Sequence, residues 1–261
     1  MSRPFKNRAK QMLQEGKKIS SAWAQIASPL CTEILCRAGF DLLILDMEHG
    51  PNDIPTLLAQ MQVMNGYSAV PVVRAPWNDF VMIKRILDAG AFGVLIPYIN
   101  TKEEAEAAVA ACKYPPAGIR GLAGSTRAAG FGQNSLEYFS KANEEILIIV
   151  QVETEESAEN IDAILEVSGV DGIFIGPMDL ATNMGYIADP SQAAVQKTIG
   201  SVAEKVLKSN KFLSTISKDW NQAKTLLDQG YQMVTLMSDA VGLAGLAAEK
   251  VKSFEEAFPK T

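Results

Sequence analysis

The segment Leu42-Leu43-Ile44-Leu45-Asp46-Met47-Glu48-His49-Gly50-Pro51 passes from an apolar run into two acids and the only histidine of the chain. Side chains alternate faces along an extended strand, so Asp46 and Glu48 are expected on one face, pointing together beyond the strand end. A carboxylate beside an imidazole fixes its tautomer and tunes its basicity near neutral pH, which general acid–base chemistry requires. The plain alternative is that these polar groups only hydrogen-bond their own loop. Arg74 ends a second apolar run, where a guanidinium is costly unless paired. It is either half of a structural ion pair or a fixed cation aimed at an oxygen that turns negative as a carbonyl becomes an enolate.

Two further runs end in acids: Ile148-Ile149-Val150-Gln151-Val152-Glu153 and Ile173-Phe174-Ile175-Gly176-Pro177-Met178-Asp179. A carboxylate pair without a cysteine or histidine cluster suits a hard octahedral cation that keeps several waters, so Mg²⁺ or Mn²⁺ is the expected metal on Glu153 and Asp179. Gln151 is a polar neighbour of that pair. Gly176, Pro177 and Met178 open a helix, and the N–H groups of Met178 and Asp179 can receive a substrate carboxylate there. Trp23, in another apolar run, reads equally as a wall of the substrate pocket or as ordinary core. The segment Gly118–Arg127 lacks the ending of a phosphate loop and reads as a wall or interface loop.

These groups share one property: each stands where a short apolar run ends. Short β-branched runs alternate with amphipathic stretches, the pattern of parallel strands joined by crossover helices. Eight strands are expected, centred on Ile19–Ile26, Leu42–Glu48, Val70–Arg74, Gly93–Pro97, Ile146–Glu153, Gly172–Gly176, Phe212–Ser217 and Met233–Met237. Eight such units in 261 residues give one (β/α)8 TIM-barrel domain over residues 1–261, whose function belongs at the C-terminal strand ends. Ser28-Pro29, Asp53, Asn78, Thr101 with Glu104, and Asp219 are expected helix starts, and Gly39 a helix stop. Phe5, Ala9, Met12 and Leu13 fit one face of an additional N-terminal helix closing the barrel floor, with a transit peptide over Met1 to Lys18 as the alternative. Tyr114 to Asn143 reads as a long irregular loop, functional or merely structural.

Composition narrows the partners. A net charge of −6 leaves no broad basic surface for nucleic acid or an anionic membrane. The apolar runs are strand-sized, well short of the roughly 20 residues of a membrane span. Cys31, Cys36 and Cys112 have no metal-ligand spacing, and an odd number suits a reducing, cytoplasmic setting.

Taken in order, Trp23 with Ser28-Pro29, Asp46-Met47-Glu48-His49-Gly50-Pro51, Val73-Arg74, Gly118-Ile119-Arg120-Gly121, Gln151-Val152-Glu153-Thr154 and Ile175-Gly176-Pro177-Met178-Asp179-Leu180 resemble the HpcH/HpaI aldolases, class II pyruvate aldolases. The resemblance runs over nearly the whole chain. It implies a divalent ion, Mg²⁺, Mn²⁺ or Co²⁺, on Glu153 and Asp179, with pyruvate bound through its carboxylate and keto oxygens. It further implies that Arg74 stabilises the enolate, that Asp46 and His49 handle protons, and that Asp88 enters a neighbouring subunit's site in a trimer or hexamer. The partners are then a 2-oxo acid and an aldehyde. Three other readings stay open at this stage: a Schiff-base aldolase using Lys218, a citrate-lyase-type enzyme acting on a CoA ester, and a pyruvate- or oxalate-binding barrel without turnover.

Overall fold

The computed structural model describes residues 5–133 and 135–259; residues 1–4, the start of the N-terminal segment, lie outside them. Eight strands, β1 (Ile19–Ala24), β2 (Leu42–Asp46), β3 (Val70–Arg74), β4 (Gly93–Ile96), β5 (Leu147–Val152), β6 (Gly172–Ile175), β7 (Phe212–Ile216) and β8 (Met233–Ser238), close into a barrel in chain order. Every neighbouring pair is parallel, β1 with β8 included.

Alternation sorts each strand into two layers. Leu42 and Ile44, Val70 and Val72, and Leu147 and Ile149 fill the interior. Their neighbours Leu43, Leu45, Val73, Ile148 and Val150 face the helices. Continued one step further, the inward positions are Asp46, Arg74 and Gln151, so the strand period itself delivers polar groups to the mouth. Ala9 and Leu13, from the helix Arg8–Gln14, pack into the lower end of the interior cluster and close the floor as expected. Lys10, on the same helix, is tied down by the Ile146 carbonyl at 2.8 Å and Asp171 at 2.9 Å.

Several strands stop earlier than their apolar pattern suggests, each because a side chain captures the backbone. β2 ends at Asp46, whose Oδ1 accepts the N–H groups of Glu48 at 3.1 Å and His49 at 3.3 Å. Glu48 therefore reaches the mouth through this turn rather than by strand alternation. The turn needs Gly50, because a Cβ there would stand 2.6 Å from the Asp46 carbonyl oxygen. β1 stops at Ala24 because Asp239 takes the Gln25 and Ile26 N–H groups, and β5 stops at Val152 because the Glu153 N–H donates to Ser157 Oγ.

Asp53, Thr101 and Asp219 cap their helices as expected. Asn78 does not: Asp79 caps the helix Phe80–Asp88, and Asn78 donates instead to the Glu104 carbonyl. The stretch Tyr114 to Asn143 is also not all loop. The helix Ser135–Glu145 occupies its end, held by the buried pair Tyr138 and Ala142 on an otherwise polar sequence.

Candidate active site

Arg74 organises one half of the mouth. Its guanidinium donates from Nε to Asp46 Oδ1 at 2.8 Å and from Nη2 to Asp46 Oδ2 at 2.6 Å, across the β2–β3 register that pairs these two residues. Nη1 lies 2.9 Å from Glu48 Oε2, and the Trp23 ring sits against the guanidinium carbon at 4.3 Å. Trp23 also meets Phe174 edge-on within the interior cluster. It is thus both core and the base on which the site's cation rests.

The structure places Glu48, of the two acids, beside the histidine ring. Asp46 is fully buried and its oxygens are taken by Arg74, by the Gln25 amide at 3.0 Å, and by the two N–H groups of the turn. It holds the His49 main chain, not the imidazole. The carboxylate beside the ring is that of Glu48, with Oε2 at 3.8 Å from Nε2 on a side chain that is 60% exposed. Burial works to raise the Asp46 carboxyl, but the hydrogen bonds and charge of Arg74, with the Gln25 and His49 bonds, outweigh it and hold the group below its ordinary range. For Glu48, burial wins: with Asp46 and Asp179 adding repulsion against the Arg74 attraction, its carboxyl is pushed up to about 7.

Glu153 and Asp179 form the other half. Glu153, 1% exposed, accepts the Tyr98 N–H at 2.8 Å on Oε1 and the Gln151 amide on Oε2. Burial pushes it up to about 7, opposed by the Tyr98 bond and assisted by the charges of Glu48 and Asp179. Gly176 leaves room for these side chains, since a Cβ would stand 2.8 Å from Glu153 Oε2 and 3.1 Å from the Gln151 amide nitrogen and would make both shift. Pro177 then starts the helix Pro177–Asn183, which carries Met178, about half-exposed, and Asp179 in its first turn.

The arrangement fits a hard cation. Arg74 pairs with Asp46 and Glu48, Glu48 feels the charge of Asp179 and Glu153 those of Glu48 and Asp179, and the side-chain Oε1 of Gln151 is buried without a donor among the described residues. Among the described residues no three His, Cys, Asp or Glu side chains converge as a ready metal cage. An ion on Glu153 and Asp179 would therefore take its remaining positions from water and substrate oxygens, the usual habit of Mg²⁺.

Asp88 is not in this mouth. It ends the helix Phe80–Asp88, which runs back toward the floor, and its Oδ1 accepts from Arg120 Nη2 at 2.7 Å. The Gly118–Arg127 segment lies there too, with Arg127 donating to the Ala89 carbonyl, so it is no wall of the subunit's own site. A cavity of about 800 Å³ lined by Phe92, Arg127 and Tyr138 also opens at that end and shares no residue with the mouth. Lys218 is exposed, and its main-chain N–H donates to the Gln222 side chain.

Two residues of the mouth escaped sequence reading. Tyr98 and Trp77 lie just past the ends of β4 (Gly93–Ile96) and β3 (Val70–Arg74), and their signal was position alone.

The HpcH/HpaI aldolase/citrate lyase family profile matches residues 20–244. The chain belongs to this family. Among curated relatives, the 5-keto-4-deoxy-D-glucarate aldolase of Escherichia coli O157:H7 (strain EC4115 / EHEC) is 41% identical over 247 residues, covering 95% of this chain and 96% of its own length. Among solved structures, a family member from Burkholderia cenocepacia J2315 superposes with a TM-score of 0.91 at 31% identity, covering 95% of this chain and 99% of that one. An HpcH/HpaI aldolase from Desulfitobacterium hafniense DCB-2 gives 0.88 at 29% identity, covering 95% and 96%. The barrel and the aldolase reading therefore stand together.

Proposed function

We propose that the protein is a divalent-metal-dependent aldolase that joins pyruvate to an aldehyde, or cleaves the resulting 4-hydroxy-2-oxo acid. The observation that carries this reading is a buried guanidinium held by Asp46 and Glu48 at the same barrel mouth as Glu153 and Asp179, which we assign as the metal-binding pair. When bound, the ion supplies Lewis-acid polarisation of the keto oxygen. His49 removes a proton from pyruvate C3, and the electron pair becomes an enolate whose oxygen Arg74 stabilises. C3 then bonds to the aldehyde carbon, and the aldehyde oxygen takes up a proton; cleavage is the reverse. Asp46 locks Arg74 in place and fixes the turn that carries His49. Gln151 and the stretch Gly176, Pro177 and Met178 receive the pyruvate carboxylate, over the Trp23 ring. Cleavage of a 4-hydroxy-2-oxo acid should stop on chelation and return with Mn²⁺, Mg²⁺ or Co²⁺, whereas full activity in excess EDTA would contradict the metal role. A CoA-ester reaction and binding without turnover have less support, because the 41% identical relatives carry an aldolase name.

Metal should also show in stability. Glu48 and Glu153 hold their protons more tightly folded than unfolded, so in the metal-free protein their contribution is present below their ordinary 4.5 and lost as pH rises through about 7. A cation that binds the ionised forms should raise the thermal midpoint more at about pH 8 than at about pH 5. Equal shifts at both would argue against Glu153 as part of its site.

Arg74→Lys keeps a cation but loses the planar fork that grips Asp46 and faces the enolate. Turnover should fall about 10²- to 10³-fold with metal titration little changed. Loss of metal binding would show that the fork holds the whole site together instead.

The protein is expected to assemble as a trimer or hexamer in the cytoplasm, with Asp88 reaching a neighbouring subunit's site. Its position away from its own mouth is compatible with a role in another copy, beside its ion pair with Arg120. The helix Asp239–Ala257 exposes Val241, Leu246, Val251 and Phe254, beside small residues Ala244, Ala247 and Ala248 that permit close packing. Light scattering should give a trimeric or hexameric mass; a monomer would remove the role of Asp88. No described helix is long and apolar enough to cross a membrane, and all three cysteines are free thiols.

A further inference from the structure

We infer that Gln25, backed by Ser238, is a positioning residue: it locks the plane of the Asp46 carboxylate and thereby aims the Arg74 fork at the enolate. The inference rests on the aldolase reading and assigns a further duty within the same site.

A slip in strand pairing brings Gln25 its partner. Ile19 and Trp23 of β1 and Met233 of β8 face the barrel interior. The register pairs Ile19 with Met233 and Ser21 with Thr235, then shifts, so that Ala22 meets Met237 and Trp23 meets Ser238. Leu236 is the extra residue, a bulge of the kind that re-aims a side chain beside a site. Unbroken alternation would carry Met237 inward beside Trp23. The bulge puts Ser238 there instead and leaves Met237 opposite Ala22, which packs toward the helices.

Ser238 is buried, and its hydroxyl donates to Gln25 Oε1 at 2.6 Å while its oxygen caps the helix Asp239–Ala257. Asp239 accepts the Gln25 main-chain N–H at 2.8 Å, so residue 25 is held by both backbone and side chain. With Oε1 turned to that hydroxyl, the NH2 end is turned to Asp46, which as a carboxylate only accepts. Nε2 donates to Asp46 Oδ2 at 3.0 Å.

That bond differs from the others on Asp46. Oδ1 takes Arg74 Nε and the two N–H groups of the turn, whereas Oδ2 takes only Arg74 Nη2 and Gln25. Asp46 is fully buried, so bulk water does not replace a donor lost there. Without Gln25, the charge on Oδ2 falls to Arg74 alone and draws the guanidinium toward Asp46, away from the reacting oxygen. Arg74 acts on charge that develops in the enolate, so its misplacement costs rate more than pyruvate affinity.

The test is exchange of pyruvate C3 protons in the Mn²⁺-loaded protein carrying Gln25→Met, which keeps the length of the side chain and removes both amide ends. The rate at saturating pyruvate should fall about tenfold, with half-saturating pyruvate and calorimetric Mn²⁺ affinity changed less than about twofold. A double-mutant cycle separates positioning from a merely structural role. Once Arg74→Lys has removed the fork, Gln25→Met should cost less than about twofold more, because it acts only through that fork. Ser238→Ala should lower the rate by a smaller factor and add nothing in the Gln25→Met background; if Gln25→Met does not fold, Ser238→Ala with and without Arg74→Lys gives the same comparison. An unchanged rate in Gln25→Met, or a tenfold loss that persists beside Arg74→Lys, would overturn the inference. Exchange in the wild-type protein that is indifferent to Gln25 sinks this inference alone, whereas no wild-type exchange takes the aldolase reading down with it.

Discussion

Glu153→Ala and Asp179→Ala should each abolish carbon–carbon bond cleavage and divalent-metal binding together. A Lewis acid contributes several kcal/mol at the transition state, so the loss should be at least about a thousandfold. Glu153 is the more severe case, because its removal also strips the Tyr98 N–H and the Gln151 amide of their acceptor. Glu153→Gln separates the two effects: it keeps the shape of the side chain and loses the charge. Calorimetric titration with Mn²⁺ beside turnover should find the Gln variant folded, inactive and weak in metal binding. Normal Mn²⁺ affinity in that variant would remove Glu153 from the metal site.

His49→Ala should behave differently. The imidazole is more than half exposed and touches the site through Glu48, while the main chain beneath it is fixed by Asp46. Deleting the ring therefore leaves the Arg74–Asp46 pair and the Glu153 side intact. General acid–base groups typically contribute about 10²- to 10⁴-fold, and that is the expected fall in kcat, with metal and pyruvate binding retained. If the variant lost metal affinity as severely as Glu153→Ala, the histidine would be a ligand.

Much of this site was legible because strand alternation is rigid. Once Leu42 and Ile44, or Val70 and Val72, are read as interior, Asp46 and Arg74 must follow on the same face. The resemblance to the family added the roles of these residues and pointed to Asp88. What the sequence hid is what side chains do to the backbone. Which of the two acids stands beside the imidazole was not legible: the oxygens of Asp46 are consumed by Arg74 and by the turn it folds, and Glu48 takes the place beside the ring. Tyr98 was hidden because its importance lies in a left-handed turn, a property of φ that no local pattern announces. The helix Ser135–Glu145 was missed for another reason. Its buried stripe is short and set among Glu137, Lys141, Glu144 and Glu145, so tertiary contact rather than periodicity makes it a helix.

Exchange of pyruvate C3 protons with solvent deuterium, followed by NMR, tests enolate formation without needing the true aldehyde. The wild-type protein with Mn²⁺ or Mg²⁺ should exchange these protons rapidly, chelator should stop the exchange, and His49→Ala should slow it by about 10²- to 10⁴-fold. Exchange that persists in excess EDTA, or none in the metal-loaded protein, would contradict the account.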